Sequence, residues 1–226
     1  TDAIRLDNFF PARSFVQLRK GHSEHVTGIG AAVESLLPYN SGTTSKLFAA
    51  SGAFIYDVTS AGSVGSAVVS SLSNAKWQSA NITTSGGSFL FICNGEDAPR
   101  HYNGSAWATP SITGITPANV VNVTVHKERL FFIQNDSLTF AYLGTKAVAG
   151  SASTFDLGSV FSKGGKLMAM GSWSRDGGSG MDDAAVFFTS EGQIAIYQGT
   201  NPASADAWSL IGVFDAPRPI GRRCIL

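Results

Sequence analysis

The chain has 226 residues, and its sixteen basic and sixteen acidic side chains cancel to a net charge of zero. A hydrophobic fraction of 43% excludes a disordered chain, and the cancelled charge removes the field on which nucleic-acid binding depends. Charged residues make up only 14%, so Ser, Thr, Gly and Asn must supply the polar surface, a composition that favours strands and turns over helices.

The first residues, Thr1-Asp2-Ala3-Ile4-Arg5, carry neither an initiator Met nor an apolar signal region and read as a processed or truncated start. Leu6-Asp7-Asn8-Phe9-Phe10-Pro11 is an apolar segment ending in a turn, and Phe15-Val16-Gln17-Leu18-Arg19 alternates as a strand does. Residues 1–32 are therefore expected to form an N-terminal arm and a lead-in strand.

From residue 33 a pattern recurs: an apolar strand, a short polar turn, then a strand carrying Tyr. Its copies are Lys46-Leu47-Phe48-Ala49-Ala50 with Phe54-Ile55-Tyr56-Asp57, and Ser88-Phe89-Leu90-Phe91-Ile92 with Arg100-His101-Tyr102. Then come Arg129-Leu130-Phe131-Phe132-Ile133 with Leu138-Thr139-Phe140-Ala141-Tyr142, and Ala185-Val186-Phe187-Phe188 with Ile194-Ala195-Ile196-Tyr197. Anchored on Phe48, Phe91, Phe131 and Phe187, the steps are 43, 40 and 56 residues. Gly, Asn or Asp in each turn predicts a hairpin. Further strands are predicted upstream of each hairpin (Val33–Tyr39, Trp77–Thr84, Asn119–Val125, Leu167–Trp173) and downstream (Ala67–Leu72, Ala106–Thr109, Thr154–Leu157, Trp208–Phe214). Four strands at this period are the signature of an all-β, β-propeller-like array of at least four blades over 33–226. The competing arrangement is a β-sandwich. The chain stops inside an apolar run, Cys224-Ile225-Leu226, so the blades are expected to continue beyond Leu226. No segment of about 18 apolar residues could form a transmembrane helix. Cys93 and Cys224 fall in apolar strand-like contexts and read as buried free thiols.

The opening Asp2-Ala3-Ile4-Arg5-Leu6-Asp7-Asn8-Phe9-Phe10-Pro11, followed by Val16-Gln17-Leu18-Arg19-Lys20-Gly21, resembles a structural family of phages and prophages. Val33-Glu34-Ser35-Leu36, Ser45-Lys46-Leu47-Phe48-Ala49-Ala50 and Ile55-Tyr56-Asp57-Val58-Thr59 extend the match. The family is the tail hub or nozzle proteins of short-tailed phages. The resemblance is specific over the first sixty residues and looser after about residue 150. It implies a non-enzymatic virion protein without cofactor or metal, assembled in the host cytoplasm. It also implies a ring homo-oligomer, a hexamer, below the portal and adaptor, docked to the adaptor and other tail proteins, with DNA passing through the lumen without sequence-specific contacts.

The residues that could carry chemistry have plainer readings. His22-Ser23-Glu24-His25 lacks the spacing of a zinc helix, and Gly21, Thr27 and Gly28 oppose one. His101 and His126 are isolated, with His126-Lys127-Glu128-Arg129 read as a polar surface turn. Asp176-Gly177-Gly178-Ser179-Gly180-Met181-Asp182-Asp183 does not match a calcium loop and reads as an exposed interface loop. Asp57, Glu96, Asp97, Asp156 and Asp215 sit at turns or strand ends, although two carboxylates far apart in sequence could still meet for glycoside hydrolysis. Arg218, Arg222 and Arg223 form either a basic patch for DNA or an edge cluster. The four Asn-x-Ser/Thr sequons, at Asn81, Asn103, Asn122 and Asn135, are what a Ser/Thr-rich chain produces by chance. The rival function is a glycan-binding or glycan-cleaving propeller.

Overall fold

A computed structural model describes residues 5, 7–176 and 181–223. Strands β1 (Phe9–Pro11) and β2 (Val16–Leu18) form an antiparallel hairpin, every residue of which is exposed. Short β3 (Val26–Thr27) leads into sheet 1, made of β4 (Val33–Asn40), β5 (Ser45–Ser51) and β6 (Phe54–Asp57), and pairs in parallel with β7 (Gly62–Ser63). Sheet 2 contains β8 (Gln78–Thr84), β9 (Gly87–Cys93), β10 (Arg100–Tyr102) and β11 (Trp107–Ala108). Next, β12 (Ile112–Thr113) leads into sheet 3, made of β13 (Val120–His126), β14 (Arg129–Gln134), β15 (Thr139–Tyr142) and, after β16 (Gly150–Ser151), β17 (Ser153–Asp156). Sheet 4 is β18 (Leu167–Asp176), β19 (Met181–Thr189), β20 (Gln193–Gly199) and β21 (Trp208–Asp215). All four sheets are antiparallel meanders, and the only helical turns among the described residues are two short 3-10 segments. This is an all-β chain of one three-stranded and three four-stranded units rather than the two facing sheets of a sandwich.

The anchors Phe48, Phe91, Phe131 and Phe187 do fall on the second strand of successive sheets, and Tyr56, Tyr102, Tyr142 and Tyr197 on the third. Three expectations need correction. The outer strand predicted at Ala67–Leu72 shrinks to one bridge, Ile55 with Val69, because Ser66, Ser70 and Ser71 flank it and Ser71 turns the chain with φ 60°. Phe187 is not the counterpart of Phe91, since Phe91 faces the following sheet whereas Phe187 faces the preceding one. The residue of sheet 4 facing outward is Phe188, and a one-residue slip reverses the face. His126 is not a surface residue. It closes β13 with 1% exposure, and only Lys127 and Glu128 form the turn.

The sheets stack face to face, and each joint holds one apolar cluster. Sheets 1 and 2 enclose Leu37, Phe48, Ile55, Leu90 and Ile92, sheets 2 and 3 enclose Phe91, Cys93, Leu130 and Phe132, and sheets 3 and 4 enclose Phe131, Phe140, Leu167 and Phe187. Strands buried on both faces need continuous apolar runs, which is why Phe89–Cys93 and Leu130–Ile133 do not alternate. Each fully buried Phe contributes roughly 1.5–3 kcal/mol.

The array repeats in pairs of sheets as well as singly. His25-Val26-Thr27-Gly28 before sheet 1 matches Ser111-Ile112-Thr113-Gly114 before sheet 3, and Ala61-Gly62-Ser63 matches Ala149-Gly150-Ser151. In both copies the lead-in strand lies parallel to the segment joining the third strand to the outer one. The first strands of sheets 1, 3 and 4 all bulge near their start, between Val33 and Ser35, Val120 and Asn122, and Leu167 and Ala169. Four aromatic positions repeat as well. Tyr39, Phe48, Tyr102 and Trp107 meet at the joint of sheets 1 and 2, and His126, Phe131, Tyr197 and Trp208 at that of sheets 3 and 4.

Candidate functional site

Three surfaces could carry function. The first is the end of the array where the first strands begin and the loops between second and third strands project. The C-terminal tail crosses it. Arg222 donates from Nη1 to the Leu167 carbonyl (3.1 Å) and from Nη2 to Asn135 Oδ1 (2.7 Å). Arg223 donates from Nη2 to the Glu34 carbonyl (2.7 Å) and to Ser35 Oγ (3.2 Å). Two adjacent arginines thus tie sheets 3 and 4 to sheet 1. Arg218 pairs with Glu191 at 2.7 Å. The three basic residues are spent inside the chain, which favours the edge-cluster reading over a patch for DNA. Beneath the tail lies a polar cleft of about 420 Å³ that Asn74, Lys76, Asn94, Glu96 and Asn135 help to line. Next to it Asp97 accepts from Ser73 N and Oγ (2.9 and 2.8 Å) and from Asn94 Nδ2 (2.6 Å). Burial works against its charge, but these bonds and nearby Arg100 hold its carboxyl below the usual range.

The second surface is the opposite end, near His126. Its Nδ1 lies 2.8 Å from Ser172 Oγ and its Nε2 3.3 Å from the Gly199 carbonyl. Burial lowers its pKa, only partly offset by the Gly199 carbonyl, so the ring stays neutral. Lys127 bridges to Asp183 at 3.1 Å, and Lys146 to Glu128 at 3.1 Å. The buried Trp208 Nε1, packed against the His126 ring, has no hydrogen-bond partner. His126 works as a hydrogen-bonded pin between sheets 3 and 4.

The third is the outward face of sheet 4. A depression of about 580 Å³ is lined by Gly171, Ser172, Trp173, Val186, Phe188, Ile194, Ile196 and Phe214. Trp173 and Phe214 are more than half exposed. The composition of β19 and β20 already hinted at it, since Ala184–Phe188 and Ile194–Tyr197 are apolar at every position and so imply a covering on both sides.

The other sequence candidates stay apart. Asp57 pairs with Lys46 (2.7 Å), Asp156 accepts from the Gly158 N–H (2.8 Å), Asp215 pairs with Lys163 (2.9 Å), and Glu96 is exposed on its loop. His25 is exposed and bonds the Val58 carbonyl through Nε2 (2.9 Å), whereas half-buried His101 packs edge-on to Phe89. Cys93 is buried and free, and burial pushes its thiol well up. Residues 177–180 of the acidic glycine loop, and Cys224, lie outside the described residues. Among the described residues no three His, Cys, Asp or Glu side chains converge as a metal site.

No protein-family model matches the sequence, and no curated relative matches it. Solved structures do. The chain is similar to BBS1N in its crystal structures with ARL6DN: TM-score 0.60 at 10% identity over 91% of this chain in one, and 0.51 at 11% over 91% in another. It spans 62% and 58% of those chains. A weaker likeness, TM-score 0.49 at 12% identity, covers 92% of this chain and 18% of Raptor from Chaetomium thermophilum. Identities this low speak to fold alone, and the fold that the likeness to BBS1N supports is the β-propeller.

Proposed function

We propose that the chain is a non-enzymatic structural component of a short-tailed phage virion, a tail hub or nozzle protein built on a β-propeller. The four sheets are four blades, and the exposed β1–β2 hairpin with the segment before β3 is an N-terminal arm. What carries the reading is the resemblance of stretches in the first sixty residues, from Asp2–Pro11 through Ile55–Thr59, to the openings of that family.

The arrangement of the polar groups supports it. Carboxylates that a glycan-cleaving site would bring together are tied to separate partners at separate blades. Most of the large side chains are spent on joints between blades, as a rigid wall requires. Zero net charge suits a conduit, because every tight phosphate contact would hold the DNA that must slide past. The structurally similar BBS1N is in complex with another protein, so this architecture can serve as a docking platform. The proposed mechanism is geometric: blades keep a ring of subunits, a hexamer, open below the portal and adaptor, and loops dock the adaptor and other tail proteins.

Gold-labelled antibody against the chain, applied to purified virions, tests the assignment. Label at the tail axis below the portal is expected. Label only on peripheral fibres, or on no virion at all, would overturn it.

A further inference from the structure

The cleft under the tail holds positive charge that the chain does not neutralise. Lys76, Arg222 and Arg223 line it, against one carboxylate, that of Glu96. Elsewhere Lys46, Lys127, Lys163, Lys166 and Arg218 each pair with a carboxylate. In the cleft the pattern differs. Among the described residues Arg222 donates only to the Leu167 carbonyl and Asn135 Oδ1, and Arg223 only to the Glu34 carbonyl and Ser35 Oγ, so every partner is a neutral oxygen. Lys76 reaches the Glu34 carboxylate only at 3.9 Å. Arg222 is half-buried, and Asp136, the acid whose field reaches it, is bonded to Lys166. A guanidinium drawn partly out of water without a contacting counter-charge is costly, and an anion beside it removes that cost.

The bonds that fix these groups do not exhaust them. A guanidinium carries five N–H donors, and Arg223 bonds through Nη2 alone, so its Nε and Nη1 are unspent among the described residues. Asn135 accepts from Arg222 through Oδ1, and Asn74 accepts from the Lys76 N–H through Oδ1, which leaves both amide NH₂ groups as donors. Three cations against Glu96 leave an excess of two positive charges, which the more distant Glu34 offsets only in part. A phosphate monoester carries about −1.5 to −2 at neutral pH, and guanidinium groups match its oxygens in geometry. No aromatic ring is among the described lining residues, so nothing there would stack on a nucleobase.

We propose that the cleft under the tail binds a small phosphate, either the free ion or the phosphate group of a sugar phosphate, with Lys76, Arg222 and Arg223 holding its oxygens. The same two arginines tie the tail to blades 1, 3 and 4, so the bound anion fastens the tail across the array. The inference goes beyond the conduit reading and does not depend on it.

Titration calorimetry of the 226-residue chain at constant ionic strength tests this, with inorganic phosphate and glucose 6-phosphate as probes. Equal affinity for the two assigns the free ion, and tighter binding of glucose 6-phosphate assigns the phosphorylated molecule. Arg223→Gln and Lys76→Gln, both at exposed positions and checked for native circular dichroism, should each weaken binding about tenfold or more. Lys76 takes no part in the tail's bonds, so its variant decides the matter if Arg223→Gln loosens the tail. Glu96→Gln, which removes the carboxylate from the lining, should strengthen binding, an effect that a merely structural role would not produce. The proposal is overturned if neither probe binds at millimolar concentration, if Lys76→Gln leaves the affinity unchanged, or if Glu96→Gln weakens it. A DNA oligonucleotide that binds more tightly than both probes would also overturn it, in favour of a patch for DNA.

Discussion

His126 shows how far one residue can depart from its neighbours in sequence. Flanked by Lys, Glu and Arg, it reads as surface, yet its ring lies between Phe131 and Trp208, with centroids 5.8 and 6.0 Å away. The consequence is a pH dependence with a definite sign. Burial depresses its folded pKa, so the unfolded chain takes up a proton near the ordinary value of 6.5 while the folded chain resists it. Stability should therefore fall as pH drops below about 6.5, and half-buried His101 shifts the same way. Urea midpoints should be lower at pH 5.5 than at 7.5, a window lying above the carboxylate range. His126→Gln should flatten that difference, and an unchanged difference would show that the ring is not held neutral. The adjoining turn carries a prediction of the opposite direction. Lys127 and Glu128 both have positive φ, 45° and 60°, as a two-residue hairpin of this type demands. Glu128 is exposed, so Glu128→Gly should stabilise the chain by about 0.5–1 kcal/mol by relieving the left-handed strain, measured by urea melts.

At the level of elements, the strands and hairpins were legible because apolar runs and turn residues are local signals. Eight flanking strands were placed from composition and spacing, and seven survive as strands within one to three residues at each end. The eighth, Ala67–Leu72, has the apolar residues but too many serines to hold a ladder. What spacing could not supply was the face each residue takes. An offset of one residue along the strand reverses the face, and two anchors at the same nominal position, Phe91 and Phe187, end up looking in opposite directions. The pairwise repeat escaped notice for a related reason: its signature, a hydrophobic residue, Thr and Gly, is only a few residues long. Its two glycines provide a test of the repeat. Gly28 and Gly114 have φ of 89° and 83°, but a Cβ on Gly114 would sit 2.5 Å from the Ala152 carbonyl oxygen, whereas one on Gly28 would meet only side chains at 3.6 Å or more. Both Ala substitutions should cost about 1–2 kcal/mol for the backbone conformation, and Gly114→Ala should cost clearly more. Equal losses would mean that the second lead-in segment is not clamped as described. Blade packing makes the larger claim. Phe91→Ala and Phe132→Ala should each cost about 3–5 kcal/mol, against at most about 0.5 kcal/mol for exposed His22→Ala. Equal, small effects would mean that these rings do not form a core.

For the whole molecule, the polar ends and the apolar faces divide the work. At one end Arg222 and Arg223 reach from the tail to opposite parts of the array, and at the other Lys127 and Asp183 link blades 3 and 4. Such contacts fix the blades relative to one another and, outside the cleft under the tail, leave little polar surface converging on a ligand. The candidate site was the least legible part of the chain for that reason. Sequence shows which residues could do chemistry, but only the fold shows that Asp57 and Asp215 are each ion-paired, that Asp156 accepts from the Gly158 N–H, and that the depression on sheet 4 is apolar. The measurement that decides the proposed function most directly is electron microscopy of phage particles made without this chain, imaged after DNA packaging. The conduit reading expects heads that lack a complete tail and leak their DNA. Particles with complete tails and fully retained DNA, having lost only the ability to cleave a surface glycan, would contradict it.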